Sequence, residues 1–198
     1  MADRGIILIT DETYQHFTYE GARHFSPASV PQIRSQVVTV GSFSKSFSMT
    51  GWRIGYLLAE PAFIEQALKI QDTMVICAPV IAQKAALAAL RGDPQHLVHH
   101  RELLEQRRRL LLEELSDIPT LTWQPTRGSF FAFVRVKDCK DSTMMAMDIL
   151  KHAHVATIPG SLFGKSGEGY LRLSYGSVEP KELKTACHRL ADFFRTKG

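Results

Sequence analysis

Two short aliphatic runs, Ile6 to Thr10 (IILIT) and Gln36 to Val40 (QVVTV), constrain the fold of this chain more than any other feature. Both are continuous rather than alternating, and both are aliphatic or β-branched. That pattern suits strands of a sheet covered on both faces. A third run, Ile54 to Ala59, completes a strand-rich opening region. Polar residues stand just past the first two runs, at Asp11 and Ser42, where open α/β sheets collect ligands. After Pro61 the period changes. Phe63, Ala67, Ile70 and Met74 recur at helical intervals, and Pro79 to Leu90 is an alanine-rich helix closed by Gly92. Asp93 caps a long helix from Pro94 to Leu115, with Leu97, Leu104, Leu111 and Leu115 on one stripe. The rest reads as α+β: a strand over Gly128 to Val136, a helix over Ser142 to His152 and a short strand over Val155 to Ile158. A strand over Gly169 to Ser174 and a helix over Pro180 to Arg195 follow. The expected division is 1–100 and 101–198, with the boundary inside the long helix.

A chain of 198 residues with 44% hydrophobic content can bury a real core. It has no apolar run of about 18 residues, and its N-terminal apolar stretch, Gly5 to Ile9, is short and followed by acids. Neither a membrane span nor a signal peptide is expected, and the chain reads as cytoplasmic. Cys77, Cys139 and Cys187 lie far apart without a C-x-x-C pair, which argues for packing roles rather than a disulfide framework or a zinc ribbon. The net charge of +4 is mild and its basic residues are scattered, so no nucleic-acid partner is implied; a local anionic ligand is compatible with it.

Three motifs invite functional readings that the residues do not support. Gly160 to Ser166 resembles a phosphate-binding loop, but the pattern needs a glycine at position 159, which is Pro159, and no helix follows. His96, His99 and His100 have metal-binding spacing on a helix without an evident third ligand, so no metal is expected. Arg107, Arg108 and Arg109, among Glu102, Glu105, Glu113 and Glu114, read as an ion-paired exposed face.

The stretch SFSKSFSMTGWRIGY, Ser42 to Tyr56, is different. Lysine is a nucleophile only as a free amine, and it then forms Schiff bases with carbonyls. Nearby hydroxyls and an arginine suit the phosphate of a cofactor whose aldehyde the lysine holds. Asp11 ends an aliphatic strand, where a lone carboxylate is costly unless it meets a cation. A pyridinium nitrogen is such a cation.

Asp11-Glu12-Thr13-Tyr14, Ser42 to Lys45, Met49 to Tyr56 and Tyr170 to Tyr175 together resemble the class I and II aminotransferases, the aspartate aminotransferase family of fold type I pyridoxal phosphate enzymes. Their order and spacing match over nearly the whole chain. The resemblance implies an α/β fold: the C-terminal part of the large, cofactor-binding domain over 1–100 and a small α+β domain over 101–198. It implies pyridoxal 5'-phosphate as cofactor. Lys45 would hold the aldehyde and act as base, Asp11 would pair with the pyridine nitrogen, and Tyr14 would meet the phenolic oxygen. Ser42, Ser44 and Arg53 would bind phosphate, and Arg172 would bind the substrate carboxylate. The implied reaction is amino-group transfer between an amino acid and a 2-oxo acid, with 2-oxoglutarate as one partner and a dicarboxylic, aromatic or alanine-like amino acid as the other, in a homodimer. Carbon–sulfur β-elimination on the same scaffold, or a non-catalytic regulatory module, are the alternatives. Family members also carry an upstream half with a glycine-containing phosphate loop, a ring-stacking aromatic and an asparagine segment. None of these precedes Asp11, so the chain reads as a C-terminal half.

Overall fold

The computed structural model describes residues 4–116 and 118–197, which divide into two compact units, Met1–His100 and Arg101–Gly198.

The first unit holds a three-stranded sheet of order β1 (Leu8–Asp11), β2 (Val37–Ser42), β3 (Gly55–Leu58). β1 runs parallel to β2, from Leu8 opposite Val37 to Asp11 opposite Val40, and β3 runs antiparallel, with Gly41 opposite Tyr56. The parallel step requires the long crossover from Asp11 to Val37. β2, the central strand, is buried as the sequence predicts. β1 is not: it alternates half-buried and exposed positions, and Ile9 is 65% exposed. The expected cover on both faces therefore holds for the middle strand only. Ile6 and Ile7 lie outside the ladder because pairing with β2 begins at Leu8. α1 (Pro61–Val75) and α2 (Val80–Arg91) follow, then α3 (Gln95–Leu115), within which the division between the units falls. The Asp93 carboxylate accepts the Gln95 backbone N–H at 2.9 Å, the cap that the sequence predicts. Several apolar side chains of α1 and α2, among them Ile70, Met74 and Ile81, are exposed.

The second unit is a four-stranded antiparallel sheet of order β4 (Leu121–Thr122), β5 (Phe131–Val136), β7 (Tyr170–Ser174), β6 (Ile158–Pro159). One face, with Ala132, Val134, Leu171 and Leu173, packs into a core that includes Leu111, Ile149 and Leu190, from α3, α4 (Ser142–Ala153) and α5 (Pro180–Lys197). Strand alternation sends Phe131, Phe133, Tyr170 and Arg172 to the other face. The strand expected over Val155 to Ile158 shrinks to Ile158–Pro159. α4 ends on His154 in the left-handed region, and only two residues reach register with β7.

Two further expectations are corrected. Arg108 is 3% exposed rather than on a solvated face, and its Nε donates to the Thr126 carbonyl at 2.7 Å. Arg109 keeps the expected pairing, with Glu105 at 2.8 Å. The cysteines do not share one role: Cys77 is exposed, whereas Cys187 is buried, and burial, with the Glu114 charge second, pushes its thiol up to about 12. Among the described residues no helix is long and apolar enough to cross a membrane.

Candidate active site

At the end of β2 the chain makes a single helical turn. The Phe47 N–H donates to the Phe43 carbonyl at 3.3 Å and the Ser48 N–H to the Lys45 carbonyl at 3.3 Å. Phe43 and Phe47, one turn apart, pack together with ring centres 5.3 Å apart, and Tyr56 of β3 meets Phe43 edge-on at 5.7 Å. With Met49 and Ala86 of α2 they form a small apolar cluster. The serine-rich stretch is therefore an anchored turn, with Lys45 half-buried between two aromatic anchors.

Glycine permits this packing. A Cβ on Gly41 would overlap the Tyr56 ring, and one on Gly55 would lie 2.6 Å from the Gly41 carbonyl oxygen. The turn is also strained: Ser48 and Arg53 occupy the left-handed region, with φ of 53° and 50°, a conformation that costs non-glycine residues about 1–3 kcal/mol each and that clusters at functional sites.

The register of the sheet gathers the predicted residues. Asp11 closes β1, Ser42 closes the parallel β2, and Arg53 precedes the antiparallel β3, so all three stand at one end of the sheet. Asp11 is fixed through Oδ1, which accepts the Thr13 N–H at 3.0 Å and the Thr13 hydroxyl at 2.6 Å; its Oδ2 accepts nothing among the described residues. Ser42 Oγ accepts the Ser44 N–H at 3.1 Å, and the Ser44 carbonyl accepts the Thr50 hydroxyl at 3.0 Å. Arg53 Nη1 donates to the Thr50 carbonyl at 2.8 Å, which folds its guanidinium back toward the lysine turn. Tyr14 is half-buried in the turn after Asp11, its carbonyl accepting the Phe17 N–H at 2.9 Å. Arg172 lies on β7, in the second unit.

Sequence reasoning passed over what lies beneath Asp11. Glu12 is 6% exposed, and its carboxylate accepts from Thr10 at 3.1 Å, from Ser26 at 2.8 Å and from His24 Nε2 at 2.9 Å. Burial pushes this carboxyl up, but the bonds from His24, Ser26 and Thr10 together outweigh burial and hold it below the ordinary glutamate range. A signal was available: Thr10 and Glu12 share one face of an apolar strand, and inward polar groups demand partners. A cavity of about 240 Å³ in the same unit takes Ser42 from the predicted set, with Gln15, His16, Ser46, Tyr56 and His96 among its other walls; Lys45 and Asp11 do not line it. Burial, with the charges of His24 and His96, holds the His16 imidazole below its usual range.

The aminotransferase class I and II family model matches residues 1–190. The chain is 36% identical over 198 residues to an aspartate aminotransferase of Pyrococcus abyssi, covering 98% of this chain and 50% of that protein. It is 34% identical over 198 residues to aromatic-amino-acid aminotransferase 2 of Thermococcus litoralis, again covering 98% and 50%. The crystal structure of an aromatic aminotransferase from Pyrococcus horikoshii matches with a TM-score of 0.93 at 35% identity, over 98% of this chain and 52% of that one. An aspartate aminotransferase from Rhizobium meliloti matches at 0.88 and 32%, over 96% and 50%. The chain thus spans about half the length of the curated relatives it matches.

Proposed function

Because this chain belongs to the class I and II aminotransferases, with the α/β fold of that family, we propose that it carries the lysine-bearing part of a pyridoxal-phosphate-dependent site exchanging an amino group between an amino acid and a 2-oxo acid. The reading rests above all on one observation: Asp11, the Ser42–Lys45 turn and Arg53 stand on three loops at one end of one sheet.

The residues suit the cofactor. Asp11 is held through Oδ1 and keeps Oδ2 unengaged by the described residues, leaving a carboxylate edge for a cationic N–H. Ser42, Ser44 and Arg53 offer hydroxyls and a guanidinium to a phosphate. When bound, the cofactor supplies an aldehyde that condenses with amines and a protonated ring that accepts the electron pair released at the substrate's Cα.

The remaining work falls to the chain's own groups. Lys45 Nζ would hold the aldehyde and, once displaced by substrate, would be the base that carries the proton between the substrate's Cα and the carbon that bore the aldehyde. Asp11 keeps the ring nitrogen protonated as its counter-ion. Tyr14 donates to the ring's phenolic oxygen. Arg172 takes the substrate carboxylate in a two-point pair that a planar fork forms better than an ammonium does. The homodimer and the cytoplasmic location that the resemblance implies belong to this reading.

Kinetics of Arg172→Leu and Arg172→Lys in the whole protein test it. Arg172→Leu should weaken amino and 2-oxo acid binding by about 2–5 kcal/mol with cofactor affinity unchanged, and Lys should restore only part. Michaelis constants for both substrates within about twofold of the parent would remove Arg172 from the site.

A further inference from the structure

We propose that Phe131 and Phe163 are positioning residues for Arg172, holding its guanidinium by their ring faces so that its N–H edge stays available to a carboxylate. The proposal rests on the reading of Arg172 as the substrate-carboxylate site and adds the device that keeps that arginine half-buried and without a carboxylate partner among the described residues.

The β5–β7 register sets Phe133 opposite Arg172 and Phe131 opposite Ser174, so Phe131 is a diagonal neighbour of Arg172 on the same sheet face. The Arg172 Cζ lies 4.4 Å from the centre of the Phe131 ring and 5.2 Å from that of Phe163. Its Nε is buried without a hydrogen-bond partner among the described residues, and no carboxylate of those residues pairs with it. Other arginines of this unit are tied down: Arg107 by the Gly176 carbonyl at 2.9 Å, Arg108 by the Thr126 carbonyl at 2.7 Å and Arg109 by Glu105 at 2.8 Å.

A guanidinium drawn partly out of water needs compensation. An acidic partner would provide it, but would occupy the same N–H edges that a substrate carboxylate needs. An aromatic face provides it without occupying them, because the ring quadrupole attracts the cation's plane. Phe163 is braced for this task. It sits in the turn Gly160–Phe163, and its ring meets Phe133 edge-on at 5.7 Å, while Phe133 stacks on Tyr170 at 4.8 Å. The base of that turn is pressed against Gly167, whose carbonyl oxygen a Cβ on Gly160 would strike.

The test uses Phe163→Leu and Phe163→Tyr in the whole cofactor-loaded protein. Phe163 is 54% exposed, so its replacement should leave the thermal unfolding midpoint in place. Leu keeps apolar bulk and removes the ring face; it should raise KM for both amino acid and 2-oxo acid by about three- to tenfold, the range that a cation–π contact supports, with kcat within about twofold. Tyr should restore the parent KM. Arginine side-chain NMR of the same whole cofactor-loaded protein without substrate gives a readout independent of activity: the Arg172 Nε–H, assigned by its loss in Arg172→Lys, should exchange faster with water in Phe163→Leu. If Phe163→Leu leaves KM and exchange unchanged, or if Tyr is as impaired as Leu, the positioning role is wrong. An unchanged KM in Arg172→Leu beside faster exchange in Phe163→Leu would instead overturn the substrate reading and leave the clamp standing.

Discussion

Glu12 Oε2 and His24 Nε2 meet at 2.9 Å directly behind the residue that closes β1. The Glu12 N–H also continues the ladder to the Val40 carbonyl at 2.9 Å, so the position after Asp11 is fixed by main chain and side chain together. Because the folded-state carboxyl lies below its ordinary value, its stabilising effect is fully present above the ordinary glutamate range and is lost as pH falls through the lowered value. Denaturant titrations between neutral pH and pH 3 should show stability falling across that acid window in the parent and a flatter profile in Glu12→Gln. Parallel profiles would mean that the carboxylate is not linked to folding.

The approach of β3 to β2 makes a second prediction. Gly55→Ala sets a Cβ 2.6 Å from the Gly41 carbonyl oxygen, and backbone cannot swing aside as a side-chain tip can. The substitution should destabilise the first unit by about 1–3 kcal/mol, measured by chemical denaturation. Gly51→Ala, where an added Cβ meets nothing within 4 Å, is the control and should change little.

What was legible in the sequence was local. α3 announced itself through its leucine stripe and the Asp93 cap, and β2 through its continuous aliphatic run. What was not legible depended on distant partners. Arg108 is buried because the segment around Thr126 passes over it, 18 residues away, and Glu12 is satisfied by His24 and Ser26 across 12 and 14 residues. β4 is two residues long and exists only by pairing with the end of β5. β1 is exposed at every second residue, so one face of that strand lacks cover, which an aliphatic run does not encode.

That exposure bears on the behaviour of the chain by itself. Ile9 is 65% exposed, Ile70 62%, Met74 74% and Ile81 67%, an apolar surface of the kind that ordinarily lies inside a fold or an interface. The 198-residue chain expressed alone should bind hydrophobic dyes and self-associate at micromolar concentration. Mixed with pyridoxal phosphate, 2-oxoglutarate and amino acids, it should form no glutamate above the free-cofactor background, since water weakens the charge interactions that the reaction needs. Robust saturable turnover from a monodisperse chain of this length would contradict that expectation.

The central claim is that Lys45 is the lysine joined to the cofactor. Borohydride reduces an imine and fixes the cofactor covalently, whereas a merely bound aldehyde washes away. Reduction of the cofactor-loaded protein, followed by peptide mass mapping, should place the pyridoxyl adduct on Lys45 and nowhere else. Lys45→Ala should take no label, still bind the cofactor, and slow amino-group transfer by at least the ~10²- to 10⁴-fold of the general-base contribution. An adduct mapped to any other lysine, or full labelling of Lys45→Ala, would contradict the account.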